Sequence, residues 1–323
     1  MREMVVDSPA GPLLEVRGLD KTYRNGVHAV ADVDFELARG EIVGLVGESG
    51  CGKSSLSRIL LRLVSADAGQ VRFDGIDLLA IKGRALRRIR RRLQLVPQSP
   101  TRSLNPRLPA QDSVIFNLLV NGWSYRDAMA RLVELLDLVG VSERHASRYP
   151  HELSGGQIQR LALARALATS PDLVICDEAV SALDKSVQAQ VLNLLTSLLE
   201  ELHVTFLFIS HDLDVVGHVS DRVMVMYLGR IVELGDARSV LDHPSHPYTR
   251  GLLDSVPGSG HQLVALRGEP PSPVNPPSGC PFRTRCPMAI PACEHYDHKP
   301  GIDQSTGSLV RCIRTPGREL AAL

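Results

Sequence analysis

A glycine-rich stretch of eight residues, GESGCGKS, follows the apolar run EIVGLV and precedes LSRILLRLV, which has a helical pattern. It consists of Gly47, Glu48, Ser49, Gly50, Cys51, Gly52, Lys53 and Ser54. The stretch satisfies G-x-x-x-x-G-K-[ST] in the strand–loop–helix context that this pattern requires. The glycines allow backbone N–H groups to turn toward phosphate oxygens, and the start of the helix adds a favourable dipole. Lys53 can pair with the β- and γ-phosphates and the Ser54 hydroxyl can ligate Mg²⁺, so a nucleoside-triphosphate site is predicted.

A pair of adjacent carboxylates ends the apolar run DLVICDE. Such groups at the end of a buried strand are costly unless they bind something, although a solvated strand end would also accommodate them. Beside a phosphate loop, Asp177 is the expected Mg²⁺ partner and Glu178 the group that polarises the attacking water. Cys51 and Cys176 are interpreted as small apolar residues rather than redox groups. The two motifs together are typical of a P-loop NTPase.

The elements that must position these residues change along the chain. LLEVRGLDKTY and HAVADVDFELARGEIVGLVG have strand-like patterns punctuated by glycine. From about 99 to 170, apolar residues recur at three- to four-residue spacing, which predicts helices. DLVICDE and VTFLFIS are then separated by the helix-like SVQAQVLNLLTSLLEEL, an order that predicts an α/β fold with a parallel sheet covered on both faces. After about residue 236 the composition changes, and the six prolines of EPPSPVNPPSGCP indicate a C-terminal extension.

Composition limits the class of protein. The 323 residues, 44% of them apolar, fit one large domain plus an extension. Lys and Arg number 36, as do Asp and Glu, so no global charge indicates nucleic acid or a membrane surface. The basic run RALRRIRRRLQ is interpreted as a solvated face or a contact for acidic partners rather than a nucleic-acid site. We find neither a signal-peptide core nor a run of about 18 apolar residues, so a cytosolic protein is predicted.

The pentapeptide LSGGQ heads the helix-like QIQRLALARAL and narrows the class further. With it, the chain resembles the nucleotide-binding subunit of an ATP-binding cassette (ABC) transporter, whose signature motif is LSGGQ. The resemblance implies a P-loop NTPase core with an inserted helical subdomain and an antiparallel β subdomain. It also implies that Ser154, Gly155, Gly156 and Gln157 contact the γ-phosphate held by the phosphate loop of an opposite subunit. One chain has one of each motif, so two subunits would pair head to tail around two ATP molecules.

Further positions match the family in chain order. Tyr23 matches the aromatic residue that stacks on adenine, with a core tyrosine as the alternative, and Ser55 continues the ATP contacts of the loop. Gln98, in QLVPQSP, matches the glutamine that senses Mg²⁺ and water and couples to the membrane subunit. Ser181 and Asp184, in SALD, match the loop that touches the partner ATPase. The implied catalytic residues are Glu178, His211 and Gln98, and the implied Mg²⁺ ligands are Ser54, Gln98 and Asp177.

The chain after residue 236 sharpens the resemblance. HPSHPYTRGLLDSVP and LRGEPPSPVNPPSGCPFRTRCP resemble the C-terminal extension of the oligopeptide/dipeptide importer ATPases. An ABC domain over 13–236, with its helical subdomain at about 99–170, and an extension over 237–323 are therefore expected. The implied activity is ATP-powered peptide import at the cytoplasmic face of the cell membrane. The implied partners are a second, paralogous ATPase, two permeases and an extracytoplasmic binding protein, without nucleic acid.

Other functions stay open at this point. The cargo could be nickel, glutathione or another small solute, because the ATPase subunit does not contact it. A non-transport ABC protein in a soluble enzyme complex shares the ATP motifs, although the long extension argues against it. A redox-sensing regulatory protein is a third alternative, suggested by the cysteines of the extension.

Four of the six cysteines, Cys280, Cys286, Cys293 and Cys312, lie in the last 44 residues. A cytosolic location disfavours a disulfide pair. Structural zinc prefers C-x2–4-C pairs, whereas the intervals here are five, six and eighteen residues. Four thiolates at irregular spacing suit an iron–sulfur cluster better, and the resemblance implies a [4Fe–4S] centre, with zinc or no metal as alternatives. Such a cluster would hold the extension together rather than transfer electrons.

Overall fold

The computed structural model describes residues 11–179, 184–255, 266, 268–315, 317 and 319–320. The strands are β1 (Leu14–Thr22), β2 (His28–Leu37), β3 (Ile42–Val46), β4 (Ala68–Phe73), β5 (Ile76–Asp77), β6 (Leu93–Val96), β7 (Leu173–Asp177), β8 (Thr205–Ile209), β9 (Arg222–Tyr227), β10 (Arg230–Asp236), β11 (Gly301–Ile302), β12 (Leu309–Val310) and β13 (Glu319–Leu320). The α-helices are α1 (Lys53–Leu60), α2 (Gly83–Arg92), α3 (Ala110–Val120), α4 (Tyr125–Val139), α5 (Glu143–Ala146), α6 (Gly155–Leu167), α7 (Lys185–Leu202), α8 (Leu213–Val219), α9 (Ala237–Asp242) and α10 (Pro247–Asp254). Within these ranges, no helix is both long enough and apolar enough to cross a membrane.

A sheet of nine strands, in the order β13-β11-β12-β10-β9-β3-β8-β7-β6, forms the centre of the molecule. The strands β9, β3, β8, β7 and β6 run parallel to one another, and β10 and the short C-terminal strands add antiparallel pairs. Every residue of β3 and β8 is buried, as expected for strands covered on both faces. Parallel strands place their carboxyl ends at one edge of the sheet, which is where the predicted site residues follow β3, β7 and β8.

The two faces of the central sheet pack against different layers. Val43 and Leu45 of β3 join the core beneath α1 and a four-stranded antiparallel sheet, β2-β1-β4-β5. Ile42 and Val46 of the same strand join the core under the helices α3 to α8. This division follows from the two-residue period of a strand, which points successive side chains to opposite faces. The phosphate loop therefore leaves β3 between two packed layers.

The helices between β6 and β7 form the helical layer. Helix α4 places Leu132, Leu135, Leu136 and Val139 in the core, a spacing of three and four residues that lines one face of a helix. Its start is fixed by the side chain of Ser124, which accepts a hydrogen bond from the backbone N–H of Asp127 at 3.1 Å. The signature pentapeptide lies in this layer, where Gly156 packs against α7.

Residues 237–320, which we call the C-terminal segment, pack onto the rest of the chain where they are described. The fully buried Glu233 of β10 accepts hydrogen bonds from the backbone N–H groups of Ser245, at 2.8 Å, and His246, at 3.0 Å. Burial raises the pKa of the Glu233 carboxyl above its ordinary value. Arg311 donates to the carboxylates of Asp32, at 2.7 Å, and Asp34, at 2.9 Å, on β2. The segment is thus attached to both sheets.

Candidate active site

The phosphate loop, residues 47–54, owes its path to glycines that no other residue could replace without movement. Gly52 immediately precedes α1 with φ at 117°, and a Cβ there would lie 2.1 Å from the backbone oxygen of Ala29. A Cβ on Gly47 would lie 2.2 Å from the backbone oxygen of Met226. Both distances are far below van der Waals contact, so the loop can run close to its neighbours only because these positions lack side chains.

Lys53 and Ser54 occupy the first turn of α1. The buried Lys53 donates from Nζ to the backbone oxygens of Gly47, at 2.7 Å, and Glu48, at 3.1 Å. The ammonium group is therefore held over the loop, at the positive end of the helix dipole. Ser54 donates from Oγ to Oδ1 of Asp177 at 3.3 Å. A hydroxyl and a carboxylate thus face each other, which is an oxygen-rich donor set suited to Mg²⁺.

The carboxyl end of β7 brings Asp177 and Glu178 beside the loop. Glu178 has φ at 49°, and its backbone N–H donates to the backbone oxygen of Ile209 at 2.9 Å. Burial raises the pKa of Asp177 above the ordinary aspartate value, while the hydrogen bond from Ser54 opposes that rise. The two adjacent carboxylates therefore have different environments, one beside the Ser54 hydroxyl and one turned toward the next strand.

Side chains that follow two neighbouring strands converge on the carboxylate of Glu178. Gln98, which follows β6, donates from Nε2 to Oε2 of Glu178 at 2.7 Å. His211, which follows β8, places Nδ1 at 3.7 Å from Oε1 of Glu178, with 57% of its side chain exposed. The carboxylate is thus oriented from one side by an amide and approached on the other by an imidazole that solvent and ligands can reach. Such a constellation can orient a water molecule for attack on a phosphate.

Tyr23 lies near the start of α1. Its hydroxyl donates to Oγ of Ser55 at 3.2 Å, and Lys21 Nζ lies 5.8 Å from the centre of its ring. The tyrosine is half-buried rather than part of the core. The structure therefore brings together the phosphate loop, Tyr23, Gln98, the acidic pair and His211, which are the predicted residues outside the signature and dimer loop.

The signature pentapeptide starts α6 on the helical layer. Ser154 accepts from the N–H of Gln157 at 3.3 Å, and the Gln157 side chain accepts from the N–H of Ser154 at 3.0 Å. This capping box leaves the N–H groups of Gly155 and Gly156 without acceptors inside the helix. Ser154 and Gly155 are exposed, so an anion can approach the start of α6.

Gly156 lies against Val187 in the first turn of α7. A Cβ on Gly156 would lie 2.7 Å from Cγ1 of Val187, so the glycine permits close packing of α6 on α7. Asp184 starts α7 and accepts from the N–H of Val187 at 2.9 Å. Ser181, the other residue predicted to face the partner ATPase, lies outside the described residues.

The six cysteines all lie among the described residues, and no two of them are joined by a disulfide bond. Cys51 and Cys176 are buried among apolar side chains. The four cysteines of the C-terminal segment all line one small cavity, together with Phe282 and Tyr296. The described residues nevertheless contain no group of three or more His, Cys, Asp or Glu arranged to hold a metal ion.

Sequence reasoning missed two residues that touch the phosphate loop. Arg285 donates to both carboxylate oxygens of Glu48, at 2.7 and 3.0 Å, and the Tyr248 hydroxyl accepts from the N–H of Glu48 at 2.9 Å. Both lie in stretches that resemble the importer extension, but no local pattern links either residue to the loop, which each meets only through the fold. Arg285 lies between two of the cavity cysteines, and that position was the one available signal.

Two family models match the chain. The model described as ABC transporter matches residues 30–181, and the model described as oligopeptide/dipeptide transporter, C-terminal region, matches residues 232–293. The first match contains the phosphate loop, the signature and the acidic pair. The second contains three of the four cavity cysteines.

Curated relatives and solved structures agree with these matches. A putative peptide import ATP-binding protein of Brucella ovis is 49% identical, over 87% of this chain and 92% of its own length. The oligopeptide transport ATP-binding protein AppF of Bacillus subtilis is 48% identical, over 87% of this chain and 91% of its own. The dimeric post-hydrolysis structure of the ATP-binding cassette MJ0796, bound to ADP and Pi, is 31% identical with a TM-score of 0.64, over 70% of this chain and 99% of its own. The chain belongs to the ABC transporter family, among the ATP-binding ATPases that carry the oligopeptide/dipeptide transporter C-terminal region.

Proposed function

We propose that this chain hydrolyses ATP to power the import of di- and oligopeptides. The observation that carries the catalytic part is the Glu178 carboxylate, held by Gln98 at 2.7 Å beside the phosphate loop. The cargo is supported by the match to the oligopeptide/dipeptide transporter C-terminal region and by relatives named as peptide import and oligopeptide transport ATP-binding proteins. We place the chain at the cytoplasmic face of the cell membrane as a peripheral subunit.

In this proposal the polar side chains of the site divide the catalytic tasks among them. Glu178 accepts a proton from the attacking water, while Gln98 and His211 orient that water and the γ-phosphate. Lys53 and the loop N–H groups balance the charge that develops on the phosphate oxygens. Tyr23 offers its ring to adenine. Ser54, Asp177 and Gln98 would hold Mg²⁺, which neutralises phosphate charge when bound.

The second half of each ATP site would come from another ATPase subunit. The open N–H groups at the start of α6 suit the γ-phosphate of a nucleotide held by the opposite phosphate loop. We propose a paralogous ATPase as the physiological partner, with Asp184 and Ser181 at the contact between subunits. This pairing makes two ATP sites from two chains.

A groove beside Gln98 suits a permease. It has a volume of about 790 Å³ and lies between α2, β6 and α3. Arginines of α2 line it together with Leu63 and Val120, which are 60% and 68% exposed. Pro97, the neighbour of Gln98, also lines it. We propose that one of the two permeases inserts a cytoplasmic segment with apolar and acidic side chains here, next to Gln98.

Reconstitution with the permeases, the paired ATPase and the binding protein tests the cargo. We expect peptide-loaded binding protein to stimulate ATP hydrolysis several-fold over the unloaded protein, because substrate favours closure of the ATPase pair. For comparison, the same assay is run with nickel, with glutathione and with another small solute in place of the peptide. Stimulation by one of these instead of peptides would replace peptide as the cargo. Copurification with soluble enzymes and without permeases would support the non-transport alternative.

We also propose that Cys280, Cys286, Cys293 and Cys312 bind a [4Fe–4S] cluster. The support is that all four thiols line one cavity, and cysteine thiolates are the ligands of such clusters. A cluster would supply folding energy to a proline-rich segment that has little core of its own. The alternatives are zinc, which also takes four thiolates, and no metal at all.

Replacement of Cys286 by Ser tests this proposal. We expect anaerobically purified protein to be brown and to contain iron and labile sulfide, both of which fall to background in the variant. Cys176→Ala changes a buried cysteine of β7 and should keep the iron content of the parent. Colourless parent protein with stoichiometric zinc would overturn the cluster.

A further inference from the structure

Two side chains of the C-terminal segment bind the second residue of the phosphate loop. Arg285 donates from Nη1 to Oε2 of Glu48 at 2.7 Å and from Nη2 to Oε1 at 3.0 Å. Tyr248, on α10, accepts from the backbone N–H of the same residue at 2.9 Å. Glu48 is therefore bound at both its backbone and its side chain by groups that lie 200 and 237 residues later in the chain.

The pair is shielded from solvent. Only 4% of the Arg285 side chain and 23% of the Glu48 side chain are exposed. The guanidinium carbon lies 5.9 Å from the centre of the Tyr227 ring, and Nη1 lies 3.4 Å from the Tyr227 hydroxyl. Tyr227, Tyr248 and Phe282 pack together, with ring centres 4.6 to 5.4 Å apart. A bidentate, charge-assisted contact in such surroundings fixes both partners tightly.

Glu48 in turn determines where the phosphate-binding groups lie. Its backbone oxygen accepts from Nζ of Lys53 at 3.1 Å and from the N–H of Cys51 at 3.3 Å. The backbone oxygen of Cys51 accepts from the N–H of Gly229 at 2.7 Å, which ties the loop to the turn between β9 and β10. A displacement of Glu48 would therefore move the ammonium group and the loop N–H groups together.

We propose that Arg285 and Tyr248 are positioning residues for ATP binding, through which the C-terminal segment holds the phosphate loop in the shape that phosphates require. The inference rests on the proposed role of residues 47–54 in ATP binding. It extends that site to a segment that contains none of the residues proposed to contact the nucleotide. Loss of Arg285 should weaken nucleotide binding more than it slows the chemical step, since Arg285 binds the phosphate loop, whereas the chemical step depends on the contact between Gln98 and Glu178.

The test compares Arg285→Met with Arg283→Met in the full-length chain. Arg283 lies on the same turn, but its bonds go to Ser278 and Glu294 within the C-terminal segment. We expect Arg285→Met to raise the KM for ATP and the Kd for ADP by about tenfold, with kcat changed by less than about twofold. Arg283→Met should leave the nucleotide constants unchanged. Arg285→Lys keeps the charge but loses the paired geometry, so it should recover part of the affinity.

A double variant separates positioning from general stability. Arg285→Met should add nothing to the KM of Glu48→Gln if the two act as one unit. Equal effects of Arg285→Met and Arg283→Met on KM, or full additivity with Glu48→Gln, would overturn the inference. If Arg285→Met does not fold, Arg285→Lys is compared with Arg283→Met in its place. Lys53→Ala tests the loop itself: unchanged ATP binding there would refute the proposed function, whereas lost binding with a normal KM in Arg285→Met would refute only the positioning role.

Discussion

Replacement of Glu178 by Gln is expected to lower kcat for ATP hydrolysis about 1,000-fold, because a positioned general base contributes about 10²–10⁴-fold to proton transfer. The amide keeps the size of the side chain, so the contact with Gln98, now 2.7 Å, changes little in geometry. Binding of ATP should persist, since the phosphate loop and Tyr23 are untouched. Single-turnover hydrolysis and equilibrium ATP binding, measured on the same preparation, check both parts.

Glu201→Gln is the matched control for this variant. Glu201 is an exposed residue near the end of α7, so the same chemical change there should leave kcat and binding at the parental values. Near-normal hydrolysis by Glu178→Gln would contradict the role of that carboxylate. Loss of ATP binding in that variant would instead mean that the carboxylate contributes to holding the nucleotide.

Replacement of Ser154 by Arg should weaken ATP-dependent pairing of subunits about 100-fold, while ATP binding by the single chain is retained. Arginine cannot accept the hydrogen bond that Ser154 accepts from Gln157, and its long side chain covers the N–H groups at the start of α6. Loss of a helix cap costs about 1 kcal/mol, against a typical folding stability of 5–15 kcal/mol. The fold should therefore survive and the effect should appear at the interface.

The Glu178→Gln background makes this measurable, because ATP then stays bound without turnover. Light scattering of this chain mixed with the paired ATPase, in the presence of ATP, should find dimers in that background and monomers once Ser154→Arg is added. Ser142→Arg supplies the control, since Ser142 is exposed at the start of α5 in the same helical layer. Persistent dimers in the Ser154→Arg protein would show that the signature does not complete the site of a partner.

The sequence predicts those parts of the site whose residues are contiguous. Residues 47–54 carry their own strand, loop and helix signals, and Glu178 closes an apolar run whose end at a sheet edge follows from parallel strand order. Gln98 and His211 depend on the family resemblance, because a single glutamine or histidine has no local pattern. Gln98 and His211 lie close to Glu178 because β6, β7 and β8 are neighbours in the sheet.

The C-terminal segment contains strands and contacts that no sequence pattern predicts. β11 and β12 have two residues each, too few for a hydrophobic period. They pair with one another, and β12 also pairs with β10 of the central sheet. The sequence predicts an extension from its prolines but contains no sign of these pairs. The contact between Glu48 and Arg285 is equally hidden, since two charged residues so far apart have no pattern that links them.

That separation has a consequence for the order in which the protein is made. Glu48 leaves the ribosome 237 residues before Arg285, a delay of roughly 12–50 s at about 5–20 residues per second. Early in this interval the phosphate loop has already been synthesised, while Arg285, which binds Glu48 of that loop, has not yet been translated. If Arg285 positions the loop as proposed, full affinity for ATP is acquired only after Arg285 has been translated. A prematurely terminated chain would compete poorly for the nucleotide.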